Sequence, residues 1–344
     1  MTRNMIQTNS ALFSVLEQFC AARADPVMTP GAPRYVTSDK TSKRHLQYLR
    51  IGVCLRFGHH RSLPHLSLGT EEYVGVIGFD FETQLPQFLP GAGNAGTVTC
   101  LLSEVRPQPV VSAAEVRNVV EVGSMHETGY SGHDIAAVSS VFPWVQVLRL
   151  VSPADEDAVW RLFLLLCAEE AQNGGSWIEG PLAASIATLT DLNVPSLPYS
   201  AISRSMFDSD PRSLYMALYR CIEATYAYDA SRRLSDRLGL GTPWQDVAAA
   251  LDGEIGWHPQ EASALRSILK YTLEVDLKAL CDCLSAPSGE DLQTAAGRAI
   301  YGLRNRIVHF RPGSLPVDVE AINWNQVCTL LVGVVFDVFS HAYV

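Results

Sequence analysis

Three side chains suited to proton transfer and phosphate binding lie close together near the carboxyl end of the chain. Arg304 is followed directly by Asn305, and His309 comes four residues later. An imidazole titrates near neutral pH, and a guanidinium binds two oxygens of a phosphate at once. The stretch between the acids at 291 and 318 contains no other acid and four cations, which are Arg298, Arg304, Arg306 and Arg311. Such a positive patch attracts phosphate.

A helix is predicted to position these side chains, over 289–311. Apolar residues recur at spacings of three and four, which indicates one core-facing stripe of Ile300, Leu303, Ile307 and Phe310. Ser288-x-x-Asp291 caps the start of the predicted helix, and Pro312-Gly313 ends it. Its opposite face carries Arg298, Gly302, Asn305 and His309. Because glycine has no side chain, a second chain can approach this face closely.

The pattern Leu-Arg-Asn followed by Ile-Val-His, late in a helix with another long helix after it, resembles the Arg-x4-His motif of HEPN domains. These are all-helical ribonuclease modules, and the resemblance covers roughly residues 205–344. It implies metal-independent cleavage of RNA, in which the 2′-OH attacks the adjacent phosphorus. The products would be a 2′,3′-cyclic phosphate and a 5′-OH, with no cofactor and no metal.

The resemblance also implies a role for each site residue. His309 would be the general acid or base, Arg304 would stabilise the charge on the phosphorane, and Asn305 would orient the imidazole or bind phosphate. The RNA backbone would be held by Arg298, Arg306 and Arg311. Glu223, a single acid in an apolar helix, is a supporting candidate, because HEPN-like domains often carry a polar residue there. A solvated surface charge is an equally good interpretation of Glu223.

One helix supplies one histidine, and the HEPN family solves this by dimerising. We therefore expect a homodimer through the C-terminal domain, acting as a toxin or defence effector of the abortive-infection type. The N-terminal domain is then a candidate sensor for a regulatory protein or a small molecule. The alternative is a non-catalytic HEPN-like module for binding or assembly, in which the basic helix is an anion-binding interface.

Composition indicates an ordinary globular protein. The chain has 344 residues, 47% of them hydrophobic and 18% charged, and a formal net charge of −10. This balance argues against a protein that coats nucleic acid generally, but a local basic site remains compatible with it. The eight cysteines have no framework spacing, as expected of reduced thiols in the cytoplasm. Residues 1–20 lack the apolar run of a signal peptide, and Val327–Phe339 is too short to span a membrane and contains Asp337.

The predicted fold class is α+β, with a β-containing domain over 1–150, a helix and linker over 151–204, and a helical bundle over 205–344. After a helix over 5–22, short β-branched or aromatic runs begin at Leu46, Tyr73, Thr97, Val119 and Trp144. A helix follows Pro153, and the stretch from Gly174 to Ser203 is the predicted linker. Further helices are predicted over 211–238, 243–251, 259–284 and 318–341.

Three other patterns favour structural interpretations. Gly91-x-Gly93-x-x-Gly96 matches a dinucleotide fingerprint, but prolines precede it and the following run is typical of a strand, so we predict a loop. His59, His60 and His65 lack the spacing of a zinc site and are predicted to lie in a solvated loop. Cys281 and Cys283 would point about 200° apart on a helix and are predicted to be buried thiols.

Overall fold

A computed structural model describes the fold of residues 2–79, 85–91, 93–286, 289–309 and 317–343. The chain divides into two compact units, Met1–Val159 and Trp160–Val344. The first unit combines an antiparallel sheet with helices, and the second is helical in its described residues. The predicted α+β class with a helical C-terminal part is therefore confirmed.

The first unit contains a five-stranded sheet in the described residues, with strand order β1-β2-β3-β5-β4. The strands are β1 (Arg50–Phe57), β2 (Arg61–Leu68), β3 (Glu71–Ile77), β4 (Phe88–Pro90) and β5 (Val145–Leu150). All neighbouring strands are antiparallel. Because β4 lies at the edge of the sheet, a strand that ends in proline is tolerated there.

Helices cover this sheet and build a second apolar layer. They are α1 (Met5–Ala21), α2 (Lys40–Tyr48), α3 (Ala95–Val105), α4 (Ala113–Val120) and α5 (Ile135–Ser139). One core cluster joins Leu12 and Leu16 of α1 to Leu102 of α3 and Val116 of α4. Another joins Leu66 and Ile77 of the sheet to Leu101 of α3. Helix α3 therefore contributes to both clusters.

Three predictions in this unit are wrong. The run that begins at Thr97 lies in α3, because Asn94 caps its first turn by accepting a hydrogen bond from the Thr97 N–H (3.0 Å) and the helix is buried on most sides. The run that begins at Val119 lies at the end of α4, whose start has a complete capping box between Ser112 and Glu115. His65 lies in strand β2 rather than in a loop.

The second unit is built from α6 (Glu156–Gln172), which begins within the first unit, and the helices that follow it. Its other helices are α7 (Gly180–Thr188), α8 (Tyr199–Ser205), α9 (Arg212–Glu223), α10 (Tyr228–Leu238), α11 (Trp244–Ile255), α12 (Glu261–Leu269), α13 (Glu274–Cys283), α14 (Leu292–Val308) and α15 (Trp324–Tyr343). A short 3-10 helix, Leu189–Leu192, follows α7.

Several predicted helix boundaries change. The predicted helix over 211–238 is two helices, α9 and α10, and the one over 259–284 is α12 and α13. The predicted linker contains α7 and α8, whose apolar residues, among them Leu182, Ile186 and Ile202, are fully buried. Local turn residues in this stretch separate short helices, and tertiary burial decides that they belong to the folded unit.

Helix α15 is long and apolar enough to cross a membrane by length and composition alone. Its 20 residues exceed the apolar stretch recognised in the sequence. Val327, Leu331, Val335 and Phe339 are fully buried within the second unit. Its apolar character is therefore explained by its place in a core, which is consistent with a soluble protein.

Candidate active site

Helix α14 fixes the positions of the three candidate catalytic side chains. Asp291 caps it by accepting a hydrogen bond from the Thr294 N–H (3.0 Å), and Ser288 lies outside the described residues. Ile300 and Leu303 of the predicted apolar stripe are buried, with 0% and 1% of their surface exposed. Ile307 is only half-buried, and Phe310 lies outside the described residues. The burial of this stripe sets which side of α14 faces the core.

The helix ends earlier than predicted, at Val308, and His309 adopts an extended backbone conformation (φ −107°, ψ 107°). The His309 N–H donates to the carbonyl of Asn305 (2.9 Å). The residues that were predicted to continue and end the helix, 310–313, lie outside the described part of the chain. His309 is exposed, and its position at the end of α14 leaves its ring on the surface.

One nitrogen of Arg304 contacts both Asn305 and His309. Its Nη1 donates to Oδ1 of Asn305 (3.0 Å) and lies 3.2 Å from Nε2 of His309. Because a guanidinium nitrogen only donates, Nε2 is the acceptor in this contact, and a neutral ring then carries its proton on Nδ1. Nε of Arg304 is buried and has no hydrogen-bond partner among the described residues. The three side chains therefore form one connected group with unused donor capacity.

Asn305 contacts Arg304 through its side chain and His309 through its backbone. Its amide oxygen accepts from Arg304, and its backbone carbonyl accepts from the His309 N–H. Asn305 therefore holds the guanidinium and the backbone that carries the imidazole. It makes no side-chain hydrogen bond to the imidazole itself within the described structure.

Helix α9 supplies the wall behind Arg304. The Tyr215 hydroxyl donates to the carbonyl of Ile300 (2.6 Å), which ties α9 to α14. Nη2 of Arg304 lies 3.9 Å from Oε1 of Glu223, at the last residue of α9. The guanidinium carbon lies 5.8 Å from the centre of the Tyr219 ring, within the range of a cation–π contact. These contacts place Glu223, the supporting candidate, beside Arg304.

Burial and neighbouring charges shift the pKa values of Glu223 and Tyr219 in this wall. Burial raises the pKa of Glu223, the positive charge of Arg304 opposes that rise, and the carboxylate of Glu261 adds to it. Burial likewise raises the pKa of Tyr219, whose hydroxyl accepts a hydrogen bond from Tyr226 (2.9 Å). Tyr219 and Tyr226 are therefore neutral at physiological pH.

The predicted RNA-binding arginines differ in their surroundings. Arg298 is exposed, and its Nη1 lies 2.5 Å from Oε1 of Glu290, so its charge is largely compensated. Arg306 is exposed and forms no ion pair within the described residues. Arg311 lies outside the described residues. The positive patch near His309 therefore depends chiefly on Arg304 and Arg306 in the part of the chain that the structure describes.

Sequence reasoning did not select Tyr219 and Glu261, although a signal for Tyr219 was present. Tyr219 lies four residues before Glu223 on α9, a spacing that puts both on the same face of a helix. Glu261 lies at the start of α12, and nothing in the local sequence connects it with α9. Its influence on Glu223 arises only from tertiary packing.

Gly91 and Gly93 lie in a loop, as predicted, between the edge strand β4 and helix α3, and Gly96 lies in the first turn of α3. A side chain on Gly91 would lie 2.1 Å from the carbonyl oxygen of Val147, and one on Gly96 would lie 1.8 Å from that of Ser42. The first turn of α3 is capped by Asn94. Close backbone packing therefore explains both glycines without a phosphate ligand.

The remaining candidates stay separate. No group of three or more metal-ligating side chains occurs among the described residues. His60 contacts the carbonyl of Gln108, whereas Nε2 of His65 lies 3.4 Å from Oε2 of Glu72. Cys281 and Cys283 are half-buried, and burial raises the pKa of both thiols.

Comparison of the chain with family models, curated proteins and solved structures finds no match.

Proposed function

We propose that this chain is a metal-independent endoribonuclease of the HEPN type, with Arg304, Asn305 and His309 as its catalytic residues. The observation that carries the proposal is the contact between Nη1 of Arg304 and Nε2 of an exposed His309. An arginine for phosphate and an imidazole for proton transfer thus share one surface site. The guanidinium is suited to bind two oxygens of a phosphate, and its Nη1 already lies beside the imidazole.

The chemistry begins when a phosphate of RNA takes over the Nη1 hydrogen bond. Nε2 of His309 is then free to accept the proton of the 2′-OH while the 2′ oxygen attacks phosphorus. Arg304 stabilises the charge on the phosphorane. As the bond from phosphorus to the 5′ oxygen breaks, that oxygen takes a proton from an imidazolium. The products are a 2′,3′-cyclic phosphate and a 5′-OH, and Arg298, Arg306 and Arg311 hold the backbone on either side.

A second imidazole comes from a second copy of the chain. The face of α14 that carries Gly302 permits close approach, since a side chain added there would meet nothing within 4 Å in the same chain. In the homodimer, His309 of one protomer takes the 2′ proton and the partner subunit's His309 supplies the proton to the leaving 5′ oxygen. Neither protomer alone holds both groups.

The test is the chemistry of the product ends. Labelled single-stranded RNA and tRNA are incubated in EDTA with the wild type, with His309→Ala and with His258→Ala, an exposed histidine of the same unit. We expect the wild type and His258→Ala to leave cyclic phosphate and 5′-OH ends. His309→Ala is expected to cut about 10²–10⁴ times more slowly, the usual loss on removal of a general acid or base. Equal cleavage by His309→Ala overturns the assignment.

The dimer is tested separately by replacing Gly302 with Gln. The monomer has room for the added side chain, and glutamine favours a helix more than glycine does. We therefore expect the variant to fold normally, to sediment as a monomer at micromolar concentration, and to lose cleavage. A Gly302→Gln protein that remains dimeric and active excludes this face of α14 as the interface.

We further propose a cytoplasmic toxin or defence effector, with the N-terminal unit as its sensor or partner-binding module. The rival is a non-catalytic module for binding or assembly, in which the basic helix binds an anion without cleaving it. RNA that binds but is never cut, in the presence of any activating partner, supports the rival.

A further inference from the structure

A cavity of about 580 Å³ lies in the first unit, remote in sequence from the helical site. One wall is helix α1, and the other is the chain over 31–38. The Val36 N–H donates to Oδ1 of Asn9 (2.9 Å), and Val36 pairs with His133 in a parallel bridge on its other side. The second wall is therefore fixed by hydrogen bonds in both directions. The volume of the cavity is in the range that holds a small organic ligand.

The cavity has an apolar floor and an apolar rim. Phe13, Val36 and Leu46 form the floor, and each is at most 3% exposed. Ile6 and Met125 line the cavity with 81% and 60% of their surfaces exposed. The turns of α1 place Ile6 and Phe13 seven residues apart, on one face of the helix. Exposed apolar side chains that continue a buried apolar floor are expected at a site that binds an apolar group.

The charges at the cavity leave one cation without a partner. The charged side chains that line it, in the described residues, are Glu17, Arg34 and Lys43. Oε1 of Glu17 accepts from Nη1 of Arg34 (2.7 Å), so these two charges compensate each other. Lys43 is exposed and forms no ion pair with any described residue. Two cations and one anion give the cavity a net charge of +1.

Arg34, in the wall formed by residues 31–38, has a second group without a partner among the described residues. It is 4% exposed, and its Nη2 donates to Oγ1 of Thr29 (2.8 Å). Its Nε is buried without a hydrogen-bond partner among the described residues. Arg34 therefore has a donor that no described residue uses.

We propose that this cavity binds an amphiphilic carboxylate, with the apolar chain on the floor between Ile6 and Phe13 and the carboxylate at Lys43. This site does not rest on the nuclease assignment, because ligand binding is measured directly. The apolar surface binds the hydrocarbon tail of the ligand. The uncompensated cation favours a ligand with an anionic end over one with a neutral end.

Calorimetric titration of the full chain with octanoate and with octan-1-ol tests the proposal. We expect saturable binding of one octanoate per chain, and binding of the alcohol that is weaker by about three- to fivefold, as for one partly exposed charge pair. Lys43→Gln should bring octanoate down to the affinity of the alcohol. Ile6→Glu should weaken octanoate by about tenfold, because it removes apolar contact and adds a charge that repels the carboxylate. The alcohol should lose less affinity, because only the apolar contact is removed.

Matched controls separate the cavity from the general surface. Lys40→Gln on α2 and Met28→Glu change exposed residues that do not line the cavity, and each should bind octanoate as the wild type does. Circular dichroism checks that all four variants are folded. Absence of saturable octanoate binding by the wild type overturns the proposal. So does a Lys43→Gln protein that retains the full preference for the carboxylate, or a control that loses binding as the cavity variants do.

Discussion

Two histidines, one in each unit, have opposite surroundings. His133 of the first unit is 2% exposed, and both of its nitrogens are engaged: Nδ1 with the Tyr130 hydroxyl (2.6 Å) and Nε2 with the carbonyl of Val120 (3.3 Å). His309 of the second unit is exposed. Its Nε2 meets Arg304, and its Nδ1 has no hydrogen-bond partner within the described residues. The same side chain is thus fully satisfied in one unit and partly unused in the other.

This difference separates a structural histidine from a candidate catalytic one. His133 joins Tyr130 to the end of α4, and the Tyr130 hydroxyl also accepts a hydrogen bond from the Tyr35 N–H (3.1 Å). A histidine enclosed in this way cannot reach a substrate. His309 is accessible and lies beside a guanidinium, a group suited to phosphate, and these are the two features that acid–base chemistry on RNA requires.

Among the further changes that test this comparison, replacement of Arg304 by Ala should give the largest effect, and it tests the catalytic half. Loss of transition-state charge stabilisation is expected to slow RNA cleavage by about 10²–10³. The change should leave α14 folded, since Ile300 and Leu303 still pack in the core. Cleavage rates under single-turnover conditions are the measurement. Arg237→Ala, an exposed arginine on α10, is the matched control and should cut as the wild type does.

Replacement of His133 by Ala should lower the stability of the first unit, whereas replacement of Arg304 should lower the rate of cleavage. Tyr130 and Val120 lose a buried hydrogen-bond partner and Phe13 loses a ring contact (4.7 Å between centres), which should destabilise the first unit by about 2–3 kcal/mol. Hydrogen exchange of the amides in α1 and α4 measures this loss unit by unit. His126→Ala, at an exposed position of the same unit, should leave exchange unchanged. Unchanged exchange in His133→Ala would make the two histidines equivalent and the comparison wrong.

The stability of the first unit should also depend on pH. Burial lowers the pKa of His133, and burial lowers that of His45. Each therefore binds a proton more readily when unfolded, where the pKa is about 6.5. Their contribution is complete above that pH and is lost as the pH falls below it, by at most about 1.4 kcal/mol per pH unit for each histidine. Hydrogen exchange from pH 7.5 to 5 should show this slope, reduced in His133→Gln.

Replacement of Glu223 by Gln should give the smallest effect. Its carboxylate lies 3.9 Å from Nη2 of Arg304 and competes with phosphate for that guanidinium. Because the pair is partly exposed, its removal should tighten RNA binding by only about two- to threefold. Fluorescence anisotropy with an RNA whose 2′-OH groups are replaced by hydrogen measures this without cleavage. Glu254→Gln on α11 is the control, and weaker binding by Glu223→Gln would show that the carboxylate supports the site instead.

Regular patterns made much of the fold predictable from sequence. The apolar spacing of α1 and of α14, and the β-branched runs of β1, β3 and β5, identified their elements because one face of each meets a core. The run at Thr97 failed for a physical reason. Helix α3 buries Thr97, Thr99 and Leu101 together, so no polar face remains to reveal a helical period. A short run that is apolar on every side fits a buried strand equally well.

By itself the sequence determined the spacing of Arg304, Asn305 and His309, the apolar stripe beneath them, and the fold class, because these depend on residues close together in the chain. Only the tertiary structure decided that Arg304 lies against Tyr219 and Glu223. It also decided that His133 is enclosed while His309 is exposed. Burial and charge pairing depend on which helices meet, and local sequence carries no information about partners that lie about eighty residues away.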